Sequence, residues 1–177
     1  MATPEISPEN SKKKVSFAQV LVPVAAILAA VIVTLFFMKR SHEHEASPGV
    51  VEGKKIADLD LYTLSGDSKK LSSLPGKVIL INFWATWCGP CIREMPSLDR
   101  LYKEYKTRGL EVVAVSVDDD AQKRVPKFFE KIGVSFASYV DQGGKLSDQM
   151  GVEGLPFTLI IDAERKVLLS RLGDDDW

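Results

Sequence analysis

The sequence predicts an α/β fold built on a mixed central sheet, and three patterns carry that expectation. Two near-continuous apolar runs, 77–84 (KVILINFW) and 110–117 (LEVVAVSV), read as strands buried on both faces. Each is followed by a stripe of apolar residues at helical spacing. The last quarter instead places two strand-like runs around a short polar turn, the pattern of an antiparallel hairpin. Parallel strands joined through helices and closed by a hairpin give the order β-α-β-α-β-(α)-β-β.

The elements follow from the N-terminus. Residues 1–16 are polar and Pro-containing and read as a disordered tail. Phe17 to Met38 comprises 22 residues without a charge, 19 of them hydrophobic. As a helix it would extend ~33 Å, enough to cross a hydrocarbon core of ~30 Å. A secretory h-region usually runs to about 7–15 residues before a small-residue cleavage site. This stretch is longer, and Phe36-Phe37-Met38-Lys39-Arg40 is a poor place to cut. A single uncleaved transmembrane anchor over 17–38 is therefore expected. Lys12, Lys13 and Lys14 before it nearly balance Lys39 and Arg40 after it, so flanking charge does not set the orientation. Residues 39–54 read as a linker. Its His42 and His44 alternate with Glu43 and Glu45, but a mobile segment cannot fix a coordination geometry, and a solvated tether is the better reading.

The domain proper is expected over 55–177. Gly66-Asp67-Ser68, between Leu59-Leu61-Leu64 and Leu71-Leu74, predicts a small hairpin ahead of the first buried strand. After that strand, Leu98, Leu101, Tyr102 and Tyr105 mark a helix closed by Gly109. The second buried strand leads to Asp118-Asp119-Asp120, in capping positions for a helix striped by Val125, Phe128, Phe129 and Ile132 and ended by Gly133. Pro126 suggests that this helix starts late or bends. A shorter strand over 135–140, a helical turn over 144–150, a strong strand over 157–161 and a hairpin partner over 166–172 complete the pattern.

Composition removes several function classes. With 12 Gly, 2 Cys and a 45% hydrophobic share in 177 residues, the chain is neither collagen-like, disulfide-rich nor wholly disordered. The formal net charge is −1, and five of the 23 basic and two of the 24 acidic residues fall in residues 1–40, leaving −4 beyond them. Such a balance offers no basic face for nucleic acid.

The chemistry lies in Trp87-Cys88-Gly89-Pro90-Cys91, which follows a buried strand and opens a helix. A zinc half-site would need further ligands, and only His42 and His44 remain. A structural disulfide across so short a loop would remove little chain entropy. Inert reduced thiols are the third alternative. The redox reading has a physical basis: unpaired N–H groups and the positive dipole end at a helix N-terminus favour thiolate over thiol. Cys88 is expected there, exposed, as the attacking thiolate. Cys91, one turn on and more buried, would resolve the mixed disulfide. Gly89-Pro90 lets the chain turn directly into the helix, with Pro at an early position where its missing N–H costs little.

Phe83-Trp84-Ala85-Thr86-Trp87-Cys88-Gly89-Pro90-Cys91 resembles the active-site segment of thioredoxin-fold proteins. With the apolar span, Leu71-Ser72-Ser73-Leu74-Pro75-Gly76-Lys77 and Gly151-Val152-Glu153-Gly154-Leu155-Pro156, the chain is similar to the membrane-anchored TlpA/ResA-like thiol-disulfide oxidoreductases of the thioredoxin superfamily. The resemblance covers roughly residues 50–177. It implies a thioredoxin-like fold in which Pro156 is the cis-proline beside the cysteines and, with Leu155 and Trp87, meets the substrate chain. Trp87 is expected to pack against the active-site surface. The resemblance also implies that Glu94 tunes the thiols or relays protons, and that Pro96 kinks the first helix. Asn82 stands where cytosolic thioredoxins place a buried Asp, which leaves Glu94 as the relay. The sequence stops at Gly173-Asp174-Asp175-Asp176-Trp177, where the family continues into a final helix, so that helix is expected to be absent.

A disulfide-active domain on a tether belongs outside the cytoplasm. The expected location is the bacterial inner membrane, single-pass, with the catalytic domain on the periplasmic side. The Gly-Pro dipeptide matches reducing thioredoxins, so a protein-disulfide reductase is expected. Its implied clients are apocytochrome c or a copper-site protein, and its electrons come from a membrane thiol donor. No bound cofactor is expected, because the Cys88–Cys91 dithiol itself carries two electrons. The alternative is a thioredoxin-fold copper metallochaperone, although such carriers usually add a downstream His and none follows His44.

Overall fold

The structure, a computed structural model, describes Val50 and residues 52–177. The expected tail, the anchor over 17–38 and most of the linker lie outside the described residues. Among the described residues, no helix is long and apolar enough to cross a membrane.

The described chain forms β1 (Asp60–Thr63), β2 (Ser68–Lys70), β3 (Val78–Trp84), α1 (Gly89–Tyr105), β4 (Leu110–Ser116), α2 (Ala121–Ile132), β5 (Ala137–Val140), α3 (Lys145–Met150), β6 (Phe157–Asp162) and β7 (Val167–Leu172). The strands make one sheet in the order β2-β1-β5-β4-β3-β6-β7. Strands β3, β4 and β5 run parallel, while β1, β2, β6 and β7 join antiparallel, so the sheet is mixed as expected.

Strand β3 is central because both its faces are covered. Ile79, Ile81 and Phe83 enter one core, with Leu59, Leu61, Leu71, Leu146 and Met150. Leu80 and Trp84 enter the other, beneath Cys91, Met95 and Leu98 of α1 and Val125 of α2. The side-chain period of two therefore delivers Asn82, between Leu80 and Trp84, to the face that carries α1. Trp84 is fully buried, its ring stacked on Phe129 with centroids 5.3 Å apart, and Phe128 lies 5.6 Å away. The helical stripe of α2 thus serves to close over Trp84.

Four local expectations change. Helix α2 begins at Ala121 and carries Pro126 inside it, so it does not start late. Asp120 occupies its N-cap without a side-chain hydrogen bond, and Asp118 is turned elsewhere, as described below. After α1 a single 3-10 turn over 106–108 intervenes, and Gly109 closes that turn at φ 101°, a left-handed conformation that favours glycine. Residues 52–54, which composition assigned to the linker, already associate with β7: Gly53 N donates to Val167 O at 2.8 Å and Val167 N to Lys54 O at 2.8 Å. Among the described residues no helix follows β7. Residues 173–177 instead cross α1, with Arg93 paired to Asp174 at 2.9 Å and Arg100 to Asp176 at 3.1 Å.

Candidate active site

The carboxyl ends of β3 and β4 meet the start of α1, and the loop between β3 and α1 is shaped by a carboxylate. Asp118, which is buried, accepts from Thr86 N at 2.9 Å, from Thr86 Oγ1 at 2.6 Å and from Ser116 Oγ at 2.9 Å. Cys88 N donates to Ala85 O at 3.1 Å, completing a tight turn. With Thr86 drawn inward toward Asp118, its neighbour Trp87 is turned out and stands 67% exposed. That corrects the expectation that Trp87 packs against the active-site surface: it is a free aromatic platform beside the cysteines.

Cys88 is the N-cap of α1, with extended backbone, and its Sγ accepts from Cys91 N at 3.3 Å. Pro90 lies in the first turn, where its missing N–H leaves no helical bond unmade. Gly89 has no positive φ, and a Cβ there would meet only Arg93 Nη1 at 3.9 Å, so close packing does not demand glycine. Cys88 and Cys91 are joined as a disulfide, with Cα atoms 5.3 Å apart. Cys88 is 6% exposed and Cys91 fully buried, so the expected ranking holds although Cys88 is less open than expected. The cause is the core around α1, which includes Trp84, Ala85 and the flanking Leu155. A sulfur at a helix N-terminus faces the N–H groups that stabilise a thiolate, which equips Cys88 to attack a disulfide.

The Leu155–Pro156 bond is cis, as the resemblance implied. Phe157 registers with Phe83, so Pro156 lies at the same end of the sheet as the Trp84–Cys88 loop. Its carbonyl accepts from Gly173 N at 2.9 Å, which ties the segment after β7 to this end.

Glu94 sits three residues after Cys91, one turn along α1, and is only 2% exposed. Its carboxylate meets donors alone: Asn82 Nδ2 at 2.8 Å on Oε1, and Trp177 Nε1 at 3.1 Å and Asp175 N at 3.4 Å on Oε2. Asn82 Nδ2 also donates to Thr158 Oγ1 at 2.9 Å, while Asn82 Oδ1 is buried without a partner. Burial pushes the Glu94 carboxyl upward from its ordinary value, and nearby Asp174 adds to that. The donors from Trp177, Asn82 and Asp175 pull the other way without overcoming burial. A buried acid with an elevated affinity for protons, one helical turn from a buried thiol, is placed for proton exchange.

Asn82 and Glu94, singled out on separate grounds, are thus brought together. Thr158, Trp177, Thr86 and Asp118 were missed as site residues. The signal for Asp118 was its place at the carboxyl end of a parallel strand, where α/β folds gather functional groups. Among the described residues no group of three or more His, Cys, Asp or Glu side chains is placed to hold a metal ion.

Comparison with known proteins agrees with this geometry. The Redoxin family profile matches residues 51–177. The chain is similar to the thiol-disulfide oxidoreductase ResA of Halalkalibacterium halodurans, 33% identical over 148 residues that span 84% of each chain. It is likewise similar to ResA of Geobacillus kaustophilus, 33% identical over 159 residues, covering 90% of this chain and 87% of that one. Among solved structures, a candidate thiol:disulfide interchange protein DsbE from Chlorobium tepidum superposes with a TM-score of 0.65 at 34% identity, over 72% of this chain and 89% of that one.

Proposed function

The chain belongs to the Redoxin family and is a thiol-disulfide oxidoreductase, and on that premise we propose that it works as a reductase of protein disulfides outside the cytoplasm. The observation that carries this reading is the pairing of Cys88, at the N-terminus of α1, with a fully buried Cys91 one turn from the buried Glu94.

The reaction is a two-step exchange. The Cys88 thiolate attacks one sulfur of a client disulfide, and the other client sulfur leaves as a thiolate and takes a proton. The Cys91 thiol gives its proton to the Glu94 carboxylate, and the resulting thiolate attacks Cys88 Sγ. The client departs with both sulfurs reduced, the Cys88–Cys91 disulfide forms, and an external dithiol later returns two electrons. Trp87, Leu155 and Pro156 supply the surface on which the client backbone rests. This reading needs no bound cofactor, since the dithiol carries both electrons.

The uncharged span at 17–38 supports anchoring in the bacterial inner membrane, with the domain on the periplasmic side, where oxidised clients occur. Gly89-Pro90 between the cysteines supports the reducing direction. The clients on this reading are the Cys pair of apocytochrome c or a copper-site protein, recharged by a membrane thiol donor. Trapping in the native membrane with Cys91→Ala tests it. Cys88 still attacks but the mixed disulfide cannot resolve, so an apocytochrome or copper-site precursor should be recovered covalently attached. Recovery of no client, together with tight copper binding by the wild-type chain, would replace this reading with a copper chaperone.

A further inference from the structure

Glu94 is held by two elements of different character. Asn82, fully buried on β3, supplies one donor from inside the sheet. The other two donors come from the segment after β7, which is itself fastened along the outside of α1. Arg93 grips Asp174 through both Nε at 3.2 Å and Nη2 at 2.9 Å. Arg100 meets Asp176 at 3.1 Å, Arg171 holds the Asp175 carboxylate at 3.0 Å, and Ser97 Oγ reaches Asp175 O at 3.5 Å. Each exposed pair is worth little alone. Together they span 174–176 and leave Trp177, partly buried against the α1 core, with its indole N–H on Glu94 Oε2.

We propose that this strap is the positioning element of the redox centre, with Trp177 holding Glu94 in place, through its indole N–H, as an ionisable proton acceptor for Cys91. The inference rests on the reading of Glu94 as that acceptor. On this proposal Trp177 acts through Glu94, the acceptor of its indole N–H.

The chemistry requires such a partner. A carboxyl sealed under α1 would stay protonated, since burial disfavours its charged form, and a protonated acid cannot accept from Cys91. Asn82 alone provides Glu94 with one N–H, its other going to Thr158. The indole and the Asp175 amide add two more, both aimed at the oxygen that Asn82 leaves free. The charged groups facing the site from the strap and helix are Asp174, which favours the protonated form, and Arg93, Arg100 and Arg171, each engaged by a strap carboxylate. From the sheet, only neutral Asn82 and Thr158 enter the network.

The test is direct in the oxidised chain, where the disulfide-bonded cysteines do not titrate. The Glu94 side-chain carboxyl is followed by carbon NMR against pH in the wild-type chain and in Trp177→Phe, which keeps an apolar ring and removes the N–H. Loss of one hydrogen bond to a charged group should raise the Glu94 midpoint by about one pH unit. In the wild type the Trp177 indole N–H resonance should titrate with the same midpoint, and in Glu94→Gln it should be flat. Coincident Glu94 midpoints in wild type and Trp177→Phe would overturn the inference. So would an indole resonance that ignores Glu94 in the wild type, which decides the matter even if the Phe variant folds poorly. Insulin reduction by the wild type is read separately: its absence would remove the proposed function and leave the titration result standing.

Discussion

Asp118 bonds to Thr86 and Ser116 and to neither cysteine, yet the geometry makes it the residue on which the loop leading to Cys88 depends. Its carboxylate, 4% exposed, accepts three hydrogen bonds, two from Thr86 and one from Ser116. Asp118→Ala removes the acceptor and strands the donors. Hydrogen bonds to a charged group are worth about 1.5–3 kcal/mol each, but the three share one carboxylate and are not additive. Thr86 is only half-buried, so its N–H and hydroxyl can regain water, whereas the fully buried Ser116 hydroxyl keeps the N–H of residue 118 but loses the acceptor for its own O–H, at about 1–3 kcal/mol. The variant also escapes the cost of burying a carboxylate. The balance is a loss of ~2–4 kcal/mol in chemical denaturation. Freed from Asp118, the turn from Ala85 to Cys88 should relax, and the rate of insulin reduction should fall several-fold. A Thr86→Ala, Asp118→Ala double-mutant cycle isolates the pair and should show coupling of at least about 1 kcal/mol. A single-variant loss below ~0.5 kcal/mol with wild-type reductase activity would refute the argument, since a surface substitution of no consequence behaves that way.

The remaining predictions concern Glu94 and the Trp84 core. The raised Glu94 value, caused first by burial, means that the folded chain binds this proton more tightly than the unfolded one. Its contribution to stability is therefore fully present below its unfolded value near 4.5 and is lost as pH rises through the folded value. Denaturation of the oxidised wild type and Glu94→Gln across pH should show the wild type losing ground to the variant with rising pH; a pH-independent difference would contradict the assignment. In the reduced chain, Glu94→Gln should also slow turnover, and the gap to the wild type should close as pH falls through the folded Glu94 value, below which the wild-type carboxyl is itself protonated and accepts nothing from Cys91. Trp84→Ala, which empties the space between β3 and the Phe128–Phe129 pair, should cost ~3–5 kcal/mol by calorimetry or denaturant.

What could be read without coordinates was what is local in the chain. The apolar runs of β3 and β4, the α1 stripe and the Cys-Gly-Pro-Cys segment each announce themselves within about ten residues, because strand and helix periods and helix N-terminal chemistry are short-range. Even the pairing of β6 with β7 was visible, since a hairpin joins neighbours. The environment of Glu94 was not. Its partners lie 12 residues away at Asn82, 81 at Asp175 and 83 at Trp177, and the Asn82–Thr158 bond spans 76. Nothing near Trp177 in sequence marks it, because Gly-Asp-Asp-Asp-Trp reads as a polar tail until the arginines of α1 are set beside it. Trp87 and Asp118 fail for a related reason. A tryptophan is expected to bury and an Asp-Asp-Asp run to cap the helix it precedes. The parallel pairing of Trp84 with Ser116 instead brings Asp118 beside Thr86, so the carboxylate serves the loop in the next strand connection. One register relation thus bears on both residues: it draws Thr86 in, leaves Trp87 turned out to solvent, and precedes Cys88 at the head of its helix.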